Sequence, residues 1–292
     1  MPLMVYINGK FYNKNNAKIS IFDHGVLYGD GVFEGIRSYD GLIFKLREHI
    51  NRLYNSAGLI RLNIPLSKPK LIKDIIRTLK KNKLKNAYIR LAVTRGPGDL
   101  GLDPRKCKNG IVFIITDKIK LYPHKFYERG LKIVTARTRR NLPVAIDPRI
   151  KSLNYLNNIL AKIDAIDAGV EEAIMLTFDG YVAECTGDNI FMVNKNKLIT
   201  PPSSIGALEG ITKDAVIRIA RRKEIKFDEE KIRLSDLYSA DECFLTGTAA
   251  EIIPVVEIDK KKIGTGKPGL VTKLLEEEFH KLTKKDGVRY SI

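Results

Sequence analysis

Lys151 stands in Asp147-Pro148-Arg149-Ile150-Lys151-Ser152-Leu153-Asn154-Tyr155-Leu156-Asn157-Asn158, just before an amphipathic helical pattern and four residues ahead of a tyrosine. A lysine that forms an imine with an aldehyde needs a partly desolvated site, so that its amine is free to attack. Lysine is abundant in this chain, so the segment takes its meaning from others that meet the remaining needs of a phosphorylated aldehyde. Gly210-Ile211-Thr212 opens a predicted helix, where glycine permits close approach and the first-turn N–H groups face an anion. Thr212 reads equally as an ordinary N-cap. Gly247-Thr248-Ala249-Ala250 follows a predicted strand, and its small residues leave room for the same anion, with the Thr248 hydroxyl as a donor. Arg52, at the edge of a helical stripe, suits a charge-assisted bond to phosphate and suits a solvated helix surface as well.

Two more groups complete the candidate chemistry. Glu184, in Ala183-Glu184-Cys185-Thr186-Gly187-Asp188-Asn189, offers a carboxylate that could keep a pyridine nitrogen protonated; a loop acid facing solvent is an equal reading. Tyr88 and Arg90 lie two apart on a predicted strand and therefore share a face. They suit a carboxylate ligand and a surface ladder alike.

The elements that must position these groups follow from periodicity and turn chemistry. Asn8-Gly9 between Val5-Tyr6-Ile7 and Lys10-Phe11-Tyr12 predicts a two-residue hairpin. Helical spacing at Ile50, Leu53, Tyr54 and Ala57 recurs from about Leu71 to Leu79. Ala87 to Thr94 and Ile111 to Thr116 read as strands. Leu121-Tyr122-Pro123-His124 then breaks the pattern. Beyond it a strand is expected at Lys132 to Ala136, followed by a helical stripe of Leu153, Leu156, Ile159, Leu160 and Ile163. Strands near Ala173 to Thr177 and Asn189 to Val193 come next, with Asp179-Gly180 as a hairpin turn. A helix is expected from about Thr212 to Arg222, strands near Glu242 to Thr246 and Ile252 to Val256, and a helix around Val271 to Leu282. This mixture predicts an α+β protein with a smaller domain at 1–117, a connection at 118–129 and a larger domain at 130–292.

Composition narrows the class. The 292 residues are 44% hydrophobic and 29% charged, as in a folded globular chain. No run approaches the roughly 18 apolar residues of a membrane span. Met1 to Gly9 lacks a basic stretch followed by an apolar run, so no secretory signal is read there. Cys107, Cys185 and Cys243 are odd in number and far apart, which points to a reducing, cytoplasmic setting with no metal knuckle. The net charge of +17 raises nucleic acid as a partner. The basic residues are nevertheless spread along the chain, without zinc-finger, RNA-binding or basic-zipper spacing, and a lysine-rich solvated surface accounts for them.

Taken together, the segments resemble the fold-type IV (class IV) pyridoxal-phosphate-dependent aminotransferases, and within them the branched-chain amino acid aminotransferases. The resemblance runs in register through Phe22 to Arg37, Glu48 to Leu53, Tyr88-Ile89-Arg90, Ile150 to Tyr155, Glu184 to Asn189, Gly210 to Asp214 and Thr246 to Ile252. It implies a two-domain fold like that of D-amino acid aminotransferase, with pyridoxal 5'-phosphate in the interdomain cleft. It implies that Lys151 carries the cofactor, Tyr155 bonds the ring oxygen, Glu184 serves the ring nitrogen and Leu208 packs on the ring. It assigns the phosphate to Arg52, Ile211, Thr212 and Thr248, with Gly210 opening the helix. Tyr88 and the N–H groups of Thr248 and Ala249 would hold the substrate α-carboxylate. Tyr28 and Arg90 would meet the distal carboxylate of glutamate, and Phe33, Gly35 and Arg37 would border the side chain.

The implied activity is reversible, ping-pong transfer of the amino group between L-leucine, L-isoleucine or L-valine and 2-oxoglutarate. The implied partners are these amino acids and 2-oxo acids, with a homodimer or higher homo-oligomer in which the loop from Gly96 to Pro104 reaches a neighbouring subunit; neither nucleic acid nor membrane is a partner. Two alternatives share the fold. A D-amino acid aminotransferase carries an arginine and a histidine just beyond the position of Gly96, where this chain reads Pro97-Gly98-Asp99-Leu100-Gly101-Leu102. An aminodeoxychorismate lyase is opposed by Tyr88-Ile89-Arg90 and Gly247-Thr248-Ala249. Cys185 departs from a frequent glycine and Asp188 from a frequent glutamate, and Glu209 puts an acid beside the phosphate turn.

Overall fold

The computed structural model describes residues 2–118 and 122–292. The chain forms two units, one of Met1–Ile119, Ile150–Tyr155 and Thr283–Ile292, the other of Lys120–Arg149 and Leu156–Leu282. This differs from the consecutive halves expected above, because two distant segments return to the first unit. Ile150–Tyr155 returns through backbone pairing: Phe33 N–H donates to Lys151 O at 3.0 Å and Leu153 N–H to Gly31 O at 2.9 Å. The C-terminal segment returns as the strand Gly287–Arg289, antiparallel to Leu42–Phe44. Of the connection expected at 118–129, residues 119–121 lie outside the described residues. Its later part holds a short helix, Lys125–Arg129, which ends at Gly130 with φ 82°.

The first unit is built on a seven-stranded antiparallel sheet in the order Gly287–Arg289, Leu42–Phe44, Gly31–Tyr39, Ala87–Thr94, Ile111–Asp117, Met4–Ile7, Lys10–Asn13. Asn8 and Gly9 make the expected two-residue turn, with φ of 42° and 91°; positive φ at both positions matches the twist of the flanking strands. Helices Leu46–Leu59 and Lys68–Lys81 cover one face. There Ile50, Leu53, Leu71 and Ile75 pack on Val32, Ile36, Ile89, Leu91 and Ile114 in one core. Strand alternation leaves Phe33, Gly35, Tyr88 and Arg90 on the opposite face. The strand Gly31–Tyr39 had no place in the sequence reading. Its core face carries Glu34 between Val32 and Ile36, and that charge breaks the apolar alternation.

The second unit holds a nine-stranded mixed sheet. Its path runs Lys226–Glu229, Lys197–Thr200, Asn189–Asn194, Glu242–Gly247, Glu251–Ile258, Leu131–Thr135, Glu172–Leu176, Val182–Cys185, with Lys261–Lys262 paired to Glu251–Ile258. Gly180, at φ 83°, lies in the turn between Glu172–Leu176 and Val182–Cys185. Val182–Cys185 is itself a strand, so Glu184 sits in a sheet and not in a loop. Helices Ile211–Arg222 and Leu270–Leu282 form close to their expected bounds.

Helix Leu156–Asp167 forms over most of its predicted stripe but with the opposite facing, and Leu153, expected in that stripe, lies outside the helix and pairs with Gly31. The helix buries Asn158, Ala161 and Ala165. Leu156, Ile159, Leu160, Ile163 and Ile166 stay 45–63% exposed. The small alanines let this helix lie close to its sheet, and the large residues make a separate apolar stripe. Among the described residues, no helix is long and apolar enough to cross a membrane.

Candidate active site

Lys151 is fixed by its backbone. Its carbonyl accepts from Phe33, its N–H donates to Ser56 Oγ at 3.2 Å, and Ser152 bridges to Val32. The segment is thereby laid along the start of strand Gly31–Tyr39. The half-buried amine donates to Tyr155 Oη at 3.2 Å. It lies 4.7 Å from the centre of the Phe33 ring and 5.6 Å from that of Tyr155. The two rings meet edge to face at 5.0 Å. This partly dry aromatic setting is what an imine-forming lysine requires.

The adjoining strand face carries five of the expected substrate residues, Phe33, Gly35, Arg37, Tyr88 and Arg90. Gly35 pairs in register with Arg90, and Arg37 with Tyr88. The Arg90 guanidinium lies 4.5 Å from the Phe33 ring centre and 5.6 Å from that of Tyr88. Its Nη2 reaches the Tyr88 hydroxyl at 3.4 Å. A side chain at position 35 would collide with that hydroxyl, so glycine there leaves Tyr88 in its present place. Arg37 rests over the Tyr39 ring at 4.8 Å. Tyr28 is placed differently: its hydroxyl donates to Leu100 O at 2.5 Å. His24, fully buried, bonds Asp99 O through Nε2 at 2.9 Å, which ties the same loop to the segment carrying Tyr28.

On the helix-covered face, Arg52 forms a fork on the buried Glu34, Nε to Oε1 and Nη2 to Oε2, both at 2.7 Å. His49 Nδ1 meets Oε2 at 2.7 Å, and beside a carboxylate it must be the donor. Burial pushes the Glu34 carboxyl up, but the Arg52 guanidinium and then His49 outweigh it and bring it down to about 2. Burial lowers His49, with Arg52 and Lys151 adding to the effect against Glu34. Arg52 is therefore a placed guanidinium and not a solvated helix residue.

In the second unit, Glu184 is buried against Arg140, with Arg140 Nη2 to Oε1 at 2.7 Å. Oε2 accepts from Leu208 N at 2.9 Å and from Asn189 Nδ2 at 3.3 Å. Asn189 Nδ2 also donates to Leu208 O at 3.0 Å. Gly210 is the N-cap of helix Ile211–Arg222, with no side-chain cap. Thr212 is therefore inside the first turn and is not the cap. A side chain at position 210 would strike Asn189 Oδ1, and one at 247 would strike Asp188 Oδ1. Thr248 and Ala249 are half-buried in the turn between Glu242–Gly247 and Glu251–Ile258. Glu209 is exposed. Cys185 points to the opposite side of its strand from Glu184, into the core, so this departure leaves the carboxylate untouched.

Three residues that proved central carried no role in the sequence reading. Glu34 and His49 were legible only as members of motifs. Arg140 follows Arg139 in a chain with 51 basic residues, and nothing in its neighbours distinguishes it.

The model of the amino-transferase class IV family matches residues 31–258. A Methanocaldococcus jannaschii protein named "Putative branched-chain-amino-acid aminotransferase" is 51% identical over 288 residues, 98% of this chain and 99% of that one. The crystal structure of Escherichia coli branched-chain amino acid aminotransferase superposes with a TM-score of 0.94 at 34% identity, covering 97% of this chain and 95% of that one. That of the Thermobaculum terrenum branched-chain amino acid aminotransferase in its PLP form gives 0.86 at 30%, covering 98% and 95%.

The buried cluster makes a pH prediction. Glu34 has a folded value of about 2 against an ordinary 4.5, so its stabilisation is complete above pH 4.5 and fades as pH falls towards 2. Glu34→Gln should be less stable than the parent by about 3 kcal/mol or more at pH 7. That difference should narrow between pH 4.5 and 2, as measured by denaturant unfolding; a constant gap across the window would reject the pairing.

Proposed function

The chain belongs to the class IV aminotransferase family, and on that premise we propose that it is a branched-chain amino acid aminotransferase, moving the amino group reversibly between L-leucine, L-isoleucine or L-valine and 2-oxoglutarate with pyridoxal 5'-phosphate. One observation carries the reading. The Phe33 ring has the Lys151 amine at 4.7 Å and the Arg90 guanidinium at 4.5 Å. An amine, an apolar wall and a cation therefore share one neighbourhood. A branched aliphatic chain packs on the wall, and the distal carboxylate of glutamate meets the cation.

The residues fit the cofactor. Glu184 offers a buried carboxylate for the ring nitrogen, and the first-turn N–H groups of Ile211 and Thr212 suit a phosphate. Thr246 Oγ1, on the strand leading to Thr248, is buried without a partner among the described residues, as a hydroxyl awaiting a ligand or water would be. Arg52, Ile211, Thr212 and Thr248 are the phosphate ligands in this reading, with Gly210 giving backbone access. Leu208 packs on the ring and Tyr155 bonds its oxygen. When bound, pyridoxal 5'-phosphate supplies an aldehyde that takes up the amino group and a protonated ring that draws electrons from Cα. Lys151 Nζ takes the proton from the substrate Cα and returns it in the reverse direction, with Tyr155 Oη orienting the amine. Tyr88, with the N–H groups of Thr248 and Ala249, holds the α-carboxylate. Arg90 meets the distal carboxylate of glutamate, while Gly35 and Arg37 border the side chain.

A cytoplasmic homodimer completes the reading. The exposed stripe Leu156, Ile159, Leu160, Ile163 and Ile166 supports the second copy, because monomers seldom expose contiguous patches of this kind. Leu100 and Leu102, 70% and 80% exposed on the loop that holds Tyr28, add to it.

Lys151→Ala should abolish leucine–2-oxoglutarate transamination with its circular dichroism unchanged, and borohydride trapping of the parent should label Lys151; turnover in the variant, or a label elsewhere, would sink the assignment. Arg90→Ala should cut kcat/KM for glutamate on the order of tenfold or more and leave leucine nearly unchanged; equal losses reject its role. Leu160→Lys combined with Ile163→Lys should halve the mass seen by light scattering, and a parent that is already monomeric at micromolar concentration would refute the dimer.

A further inference from the structure

We infer that Arg140 is a positioning residue for the reaction: it fixes the Glu184 carboxylate, and with it the Leu208 turn, for their work on the cofactor ring. The inference rests on the reading of Glu184 as the ring-nitrogen partner and goes beyond it by naming what holds that partner.

Arg140 is nearly buried, at 7% exposure, and its guanidinium makes contacts in three directions. Nε donates to Gly206 O at 3.0 Å. Nη1 donates to Asn158 Oδ1 at 3.0 Å and to Asn157 Oδ1 at 3.3 Å. Nη2 reaches Glu184 Oε1 at 2.7 Å. The planar fork thus joins the first turn of helix Leu156–Asp167, the turn at Gly206–Leu208 and strand Val182–Cys185. The two asparagines close the same motif that carries Lys151. Glu184 grips the turn from its other oxygen, through Leu208 N.

The arrangement limits how Glu184 can point. A carboxylate offers about four acceptor positions. Leu208 and Asn189 occupy Oε2, and Arg140 takes one position on Oε1. What remains on Oε1 is acceptor capacity for one further N–H donor. Removing Arg140 would strand a buried carboxylate without its cation and leave Gly206 O and Asn158 Oδ1 short of a donor, while Asn157 Oδ1 keeps the Asn141 N–H. Lysine keeps the charge but cannot serve these acceptors from one rigid plane.

The test is a double-mutant cycle in the holoenzyme with Arg140→Met, Glu184→Gln and the combination. The readouts are the rate of the absorbance change of bound cofactor on mixing with L-leucine and the dissociation constant for pyridoxal 5'-phosphate. Arg140→Met should slow the half-reaction roughly tenfold or more with Glu184 present, and much less in the Glu184→Gln background. The same factor in both backgrounds would mean that Arg140 acts only on the fold, which overturns the inference and leaves the role of Glu184 standing. An unchanged rate in Glu184→Gln alone overturns the ring-nitrogen reading and the inference together. Should Arg140→Met fail to fold, Arg140→Lys decides: a loss in the same direction supports positioning, and parental rates overturn it.

Discussion

A carboxylate taken out of water must bring its own cation or lose its charge. Each unit of this chain contains one such pair next to the residues that matter. In the first, Glu34 is completely buried and gripped by the Arg52 fork. In the second, Glu184 is buried against Arg140. Such pairs add little net stability compared with apolar packing, since desolvation offsets most of the attraction. What they provide is direction. A guanidinium held at two nitrogens by a fixed carboxylate has few orientations left, and a carboxylate held at both oxygens has few as well.

The backbone around Lys151 obeys a related constraint. Its segment returns to the first unit because strand Gly31–Tyr39 offers N–H and C=O groups to Lys151 and Leu153, and these bonds set the register of the lysine. The same strand carries Glu34 on its core face and Phe33 and Gly35 on the other. One strand therefore organises Arg52, the lysine and the proposed substrate wall at once. Glycine at 35 completes the arrangement, since any side chain there would displace the Tyr88 hydroxyl.

What the sequence disclosed followed from regular patterns. Ala87–Thr94 alternates cleanly, Asn8-Gly9 demands positive φ, and the stripes of Leu46–Leu59 and Lys68–Lys81 face a core of matching size. Strand Gly31–Tyr39 was hidden because a buried charge and glycines interrupt its alternation. Val182–Cys185 was hidden because it is short and small-sided, so Glu184 read as a loop acid. Helix Leu156–Asp167 was legible as a helix but not in its facing, since pattern alone cannot distinguish a core stripe from one that awaits a partner. The candidate site divided the same way. Motif residues such as Lys151, Tyr155 and Arg90 were named from sequence, whereas Arg140 and its pairing with Glu184 depend on contacts between distant segments that no local spacing encodes.

Arg90 presents the remaining physical problem of the proposed function, which is how one site would accept both an aliphatic chain and a carboxylate. An unpartnered guanidinium beside a branched hydrocarbon would be poorly solvated and would penalise it. Here the cation is spread over the faces of Phe33 and Tyr88, with the Tyr88 hydroxyl at its edge. Cation–π contact compensates about 0.5–2 kcal/mol of lost hydration without fixing the charge in a salt bridge. In the proposed role, the guanidinium would rest against the wall when the substrate is apolar and turn its donors to a carboxylate when one arrives. Among the described residues Arg90 has no carboxylate partner, with which a substrate carboxylate in the proposed role would have had to compete.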